Sequence, residues 1–223
     1  MIDIYHWVKL YLQEVEKLFT DRIWFVGLQG SYGRGEATEK SDIDMVLILD
    51  TLSYDDIRKY NDMLDRLPHR DLTCGFLSCK QDITHWDAAD LFQLYHDTTP
   101  IRGSMNDLLP LLDQTAVARA IKIGACNIYH MCVHNMLYSK KDGTLAGLYK
   151  SASFVVQAIA FAETGIYHRH LKDLVGAVSP ADRRILETFI ALKQGEVVCF
   201  EEMSASLFAW AQKTITEDIQ EFA

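Results

Sequence analysis

The chain has 223 residues, 49 % hydrophobic and 24 % charged, which suits one large globular domain or two small ones. Its formal net charge of −9, with no dense basic run, argues against a grip on an RNA or DNA backbone. Five cysteines, an odd count with no C-x-x-C, argue against a disulfide framework and favour a reducing compartment.

Residues 4–19 set Ile4, Trp7, Val8, Leu10, Tyr11, Val15, Leu18 and Phe19 at helical spacing. Ile23 to Leu28 is a short β-rich run and predicts the first strand. Met45 to Leu49 is continuously apolar, as expected of a strand covered on both faces. Ser53 then starts a helix with Asp55 and Asp56 in its first turn; Ile57, Tyr60, Met63, Leu64 and Leu67 fall on one side, and Pro68 closes it. Asp71 to Ser78 predicts a third strand. Residues 79–113 read as a connector with short helices, in which Pro100 and Gly103 break regular structure.

From residue 114 the pattern is helical, with helices expected at 115–138, 146–164, 180–193 and 202–221. The second is apolar nearly all round, which predicts a buried bundle helix, and Gly165 suits its left-handed cap. Ser179-Pro180 is a cap and first-turn signal for the third. No apolar run approaches the length that spans a bilayer, and Met1-Ile-Asp-Ile-Tyr-His lacks the basic region and apolar core of a signal peptide, so a cytoplasmic location is expected.

The chemistry concentrates in residues 28–50. Gly30-Ser31 follows the first strand, and eleven residues after Ser31 come Asp42 and Asp44 at the opening of the second. Alternate strand residues face the same way, so the two carboxylates, about 6–7 Å apart along the backbone, can converge on a hard cation such as Mg²⁺. A pair of such ions can stabilise both oxygens of an in-line displacement. Gly30 lets the backbone approach a phosphate, Ser31 adds a hydroxyl donor, and Arg34 can fork onto phosphate oxygens.

Gly-Ser, a spacer, then Asp-x-Asp resembles the signature of the nucleotidyltransferase superfamily (DNA polymerase beta-like). The layout resembles the antibiotic nucleotidyltransferases that act on aminoglycosides or lincosamides. This likeness implies an α+β fold: a small mixed-sheet catalytic domain over residues 1–113, then an α-helical bundle over residues 114–223 that binds the acceptor. The implied reaction moves a nucleoside monophosphate from a nucleoside triphosphate, ATP being the expected donor, to a hydroxyl of a small molecule. Mg²⁺ is the implied cofactor, with Asp42, Asp44 and Asp71 as catalytic residues and ligands. Gly30, Ser31, Arg34 and Lys150 are the expected nucleotide contacts, at a cleft between the two halves. Members place a third carboxylate on the third strand; Asp71 is the local candidate, with Asp82, Asp87 and Asp97 as rivals. No nucleic acid or membrane partner is expected.

Two other readings stay open: an antitoxin-like nucleotidyltransferase that modifies or binds a protein partner, and a catalytically silent nucleotide-binding module. Ser31 lies in no G-x-S-x-G elbow and no Gly-Lys-Ser/Thr follows the glycines, which disfavours a serine hydrolase and a Walker A loop. His130 and His134 share a helix face but lack a metalloprotease glutamate, and read as ordinary helix histidines. His168, Arg169, His170 and Lys172 read as a solvated loop. Glu163, Glu187, Glu196, Glu201 and Glu202 would favour a cationic acceptor if they lined the site.

Overall fold

Helix α1 (Ile4–Phe19) forms as the apolar spacing predicts, burying Trp7, Tyr11, Val15 and Phe19 along one stripe, with Asp3 accepting from the His6 N–H at its start. The chain then runs through β1 (Ile23–Gln29), a single helical turn at Gly30–Gly33 and β2 (Ile43–Leu49). In this computed structural model, residues 2–39 and 41–217 are described. Helix α2 (Tyr54–Leu64) opens on a capping box in which Ser53 and Asp56 satisfy one another's backbone N–H groups. Strand β3 (Thr73–Cys79), helix α3 (Ala88–Asp97) and strand β4 (Thr99–Gly103) follow.

The sheet is mixed, in the order β3-β2-β1-β4. Strand β2 pairs parallel with β3 across the α2 connection, and β1 pairs antiparallel with β2 and β4. Met45 to Leu49 are fully buried, the reason this strand shows no alternation. Residues 99–103, expected to break regular structure, form a strand instead. Pro100 and Gly103 are tolerated there because β4 is an edge, where one row of backbone groups needs no ladder partner.

The remaining helices are α4 (Gln114–His134), capped by Asp113, α5 (Asp142–Thr164), α6 (Leu171–Ala177), α7 (Pro180–Lys193) and α8 (Phe200–Thr216). Between α4 and α5 lies a π-helical turn, Asn135–Ser139, held by two hydrogen bonds between the Asn135 amide and the backbone of Lys141. Three sequence expectations need correction. Helix α5 starts four residues before the expected 146, so Lys150 sits in its third turn. The stretch read as a solvated loop ends in α6, which buries Leu174. At 23 residues and mean hydropathy 1.4, α5 is long and apolar enough by length and composition to cross a membrane; half of that window is buried among the other helices. Of the helix expected at 202–221, residues 218–221 lie outside the described residues.

The chain divides into two compact units, residues 1–87 with 94–110, and residues 88–93 with 111–223. Each has its own apolar core. The first packs α1 and α2 residues such as Trp7, Tyr11, Phe19 and Met63 against Val26, Met45 and Leu47 of the sheet. The second gathers Phe92, Ile128, Tyr149, Val156, Leu186, Leu207 and Trp210.

Candidate active site

The site is built where β1 ends and β2 begins. Antiparallel pairing sets Gln29 opposite Asp44, so the chain leaving β1 passes directly beside the Asp44 carboxylate. The next residue is Gly30, in the left-handed region at φ +64°. A Cβ there would lie 2.0 Å from Asp44 Oδ2. Glycine is therefore demanded twice, by the backbone conformation and by the carboxylate lying against it. Asp42 is the exposed residue just before β2, and Asp44, half-buried, is the strand's second residue. Ile43 between them is fully buried, and strand alternation turns its two neighbours the opposite way. The acidic pair and the Gly-Ser turn thus share one mouth of the sheet.

The turn is anchored on its inner side. Tyr32 is buried in the sheet core, and hydrogen bonds from the Arg34 N–H to the Gly30 carbonyl (3.1 Å) and from the Glu36 N–H to the Ser31 carbonyl (2.8 Å) close it. Ser31, half-buried, lies in its first half. Arg34, expected at the phosphates, directs Nη1 to both carboxylate oxygens of Asp97 at 2.7 and 2.9 Å, and Nε to Glu36 at 3.5 Å. Burial pulls the Arg34 pKa down, and the Asp97 and Glu36 carboxylates more than offset it, so the net direction is up.

Of the third-acid candidates, Asp71 is exposed in the 3₁₀ turn Arg70–Leu72 that leads into β3. Asp82 and Asp87 are exposed, and Asp97 is buried against Arg34. Among the described residues, no three His, Cys, Asp or Glu side chains stand together where they could hold an ion. At Gly75, in β3, a side chain is excluded: a Cβ there would lie 2.0 Å from the Met45 carbonyl oxygen. The residue in register with Asp44 on β3 is Cys74, which is exposed. Lys150 is exposed on α5, and His130 and His134 are exposed on α4, the latter against the Tyr138 ring. All five singled-out glutamates of the helical half are exposed.

Sequence reading missed the Arg34–Asp97 pair. Its partners are 63 residues apart, and no local pattern joins them. Strand β4 was the available clue, since recognising it would have brought residues 97–99 beside the turn.

Residues 4–88 match the family described as "Putative nucleotidyltransferase DUF294". No curated protein matches the chain in sequence. Among solved structures, the chain is similar to the spectinomycin adenyltransferase AAD(9) from Enterococcus faecialis, determined with ATP and spectinomycin: TM-score 0.63, 13 % identity, covering 94 % of this chain and 98 % of that one. A nucleotidyltransferase-like protein from Exiguobacterium sibiricum 255-15 aligns at 12 % identity over 94 % of this chain and 74 % of that one, with a TM-score of 0.34, too low to argue for a shared fold. In the sequence of residues 4–88 and in its α+β fold, then, the chain resembles the nucleotidyltransferases.

Proposed function

We propose that this chain transfers a nucleoside monophosphate from ATP to a hydroxyl of a small-molecule acceptor of the antibiotic type. The observation that carries this reading is the apposition of Gly30 and Asp44: a turn with bare backbone, beside a carboxylate, at the opening of a strand flanked by Asp42. The donor set fits Mg²⁺, which takes one or two carboxylates and fills the rest of its shell with water and phosphate oxygens. Asp42 and Asp44 would hold it, and bound there it supplies positive charge to the triphosphate.

The chain's own groups then position the reactants. Gly30 presents backbone to the phosphates, and Ser31 donates its hydroxyl to a phosphate oxygen. The acceptor oxygen bonds to the α-phosphorus, the bond from that phosphorus to pyrophosphate breaks, and the acceptor proton passes to a base. Asp71, at the entry to the strand beside β2, is the carboxylate to test for that role. Such transfer asks mainly for positioning and charge neutralisation, which suits a site with few reactive groups.

The helical half, residues 114–223, is the proposed acceptor-binding domain. Together with residues 88–93 of the same unit it forms a recess of about 320 Å³ lined by Phe92, Ile128, Val155 and Tyr167, with Asp90 and Asn127 among its polar groups. That size and lining lie at the small end of small-molecule pockets. The fold shared with an adenyltransferase determined with spectinomycin supports the same acceptor class. None of the five exposed glutamates lines this recess. An ATP donor and five free thiols fit action in the cytoplasm.

The test is to incubate the protein with Mg²⁺, a panel of nucleoside triphosphates and a panel of hydroxylated antibiotics, aminocyclitols included, and to search by mass spectrometry for nucleotidyl adducts. An adduct that disappears with EDTA is the expected result. Adducts found only on a co-expressed protein, or none with any donor, would overturn the small-molecule reading.

A further inference from the structure

Three side-chain interactions tie the Gly-Ser turn to residues 94–99 of the same unit. Gln29 Nε2 donates to the Leu94 carbonyl (3.4 Å), Thr99 Oγ1 donates to the Gly33 carbonyl (2.9 Å), and Arg34 Nη1 donates to both oxygens of Asp97. Asp97 and Thr98 are almost fully buried, and a Cβ on Gly27 would run into the Thr98 side chain at 2.3 Å, so this segment is seated tightly against β1. The strongest tie is the charge-assisted one.

We propose that Arg34 and Asp97 are a positioning pair. Arg34 acts on the triphosphate through the turn it anchors, held in place by Asp97, rather than as a phosphate ligand. A turn closed only by short-range amide–carbonyl bonds, to the Gly30, Ser31 and Tyr32 carbonyls, gains from an outside anchor, because left-handed glycine backbone is soft. Arg34 is next to the turn's last residue, and Asp97 is the last residue of α3, two residues before the edge strand β4. The reverse assignment predicts a different response: if Arg34 gripped phosphate directly, losing Asp97 would release the guanidinium and leave nucleotide binding equal or tighter.

The nucleotide readout rests on the transferase reading above, so a second readout is independent of it. Measure amide hydrogen exchange across residues 31–36, and titrate α,β-methylene-ATP with Mg²⁺, for the parent, Asp97→Ala, Thr99→Val and Asp56→Asn. The last disturbs a second ion pair, with Arg22, in the same unit, and serves as the stability control. Asp97→Ala should speed exchange in the turn and weaken the analogue about tenfold. Thr99→Val, which loses one neutral hydrogen bond, should do the same about threefold. Asp56→Asn should lower the melting temperature and leave both readouts unchanged. Unchanged turn exchange in Asp97→Ala, or analogue binding that is equal or tighter, would overturn the pair's role. If Asp97→Ala does not fold, unchanged exchange in Thr99→Val overturns it. A parent that binds no nucleotide, yet whose turn loosens in Asp97→Ala, would sink the transferase reading and support the anchor.

Discussion

The two units bury different kinds of side chain. In the helical unit the core is aliphatic and aromatic, and its buried acid, Asp182, takes the Ser179 hydroxyl and the Trp210 indole N–H, so it holds the Ser179 cap of α7 and fixes a core aromatic. In the sheet unit the low-exposure acids meet arginines: Asp56 with Arg22, and Asp97 with Arg34. One of those pairs and the half-buried Asp44 converge on a single glycine turn. Charge kept at a strand mouth costs desolvation and adds little to packing, which supports placing the proposed chemistry at this end of the sheet unit.

That contrast can be broken by substitution, and the largest effect should come from Asp44→Asn. It should reduce transfer by more than about 100-fold, since loss of a metal ligand exceeds the 10–100-fold cost of disturbing a ligand's supporting partner. Melting should change little, because the residue lies at a strand mouth rather than in the core. Turnover and melting measured on one preparation decide it. Gly30→Val comes next. It forces a β-branched residue to φ +64° and drives its Cβ into the Asp44 carboxylate, so nucleotide affinity should fall at least about tenfold by titration, with a melting loss of about 1–3 kcal/mol.

The helical unit should respond in the opposite sense. Leu207, fully buried in its core, should cost about 2–5 kcal/mol of stability when cut to alanine, while nucleotide affinity measured well below the melting temperature stays at the parent value. A large loss of nucleotide binding in Leu207→Ala would blur the contrast.

Asp56 sharpens it through pH. Hydrogen bonds from Arg22 are the main cause holding its pKa well below the ordinary carboxylate range; the Ser53 hydroxyl and N–H add to this, and burial opposes it. A depressed folded-state pKa gives stability that is fully present above the unfolded value of about 3.9 and is lost as pH falls through the lower folded value. Asp56→Asn should therefore cost about 1–3 kcal/mol near neutral pH, and the gap from the parent should close as the pH falls below about 4 in a denaturant series. The smallest effect should be Asp71→Asn on stability, because the residue is exposed; its effect on turnover tests the base role directly.

Much of this was legible in the sequence because local signals and tertiary context agreed. Helix α1 follows its apolar stripe from end to end, Ser53 and Asp56 announce α2, and the continuous run after Asp44 reads as the buried central strand. The Gly30–Ser31 turn and the acidic pair were found from order and spacing alone. Hidden features depended on long-range pairing. Strand β4 carries a proline and a glycine that count against a strand until its edge position is known. The Arg34–Asp97 pair needs β4 beside β1 before it can be imagined, and Gly75 reveals its close approach to Met45 only once β2 and β3 are in register. The start of α5 was misjudged because Asp142, Gly143 and Thr144 are not apolar, although they continue the helix.

The most direct test of the central claim is to follow ATP labelled at the α-phosphate, with Mg²⁺ and a hydroxylated acceptor, in the parent and in Asp42→Asn and Asp44→Asn. Label appearing on the acceptor with release of pyrophosphate in the parent, and lost in both folded variants, is the result predicted by a Gly30–Asp44 transfer site. Label transfer that persists in both variants, or release of γ-phosphate alone, would contradict it.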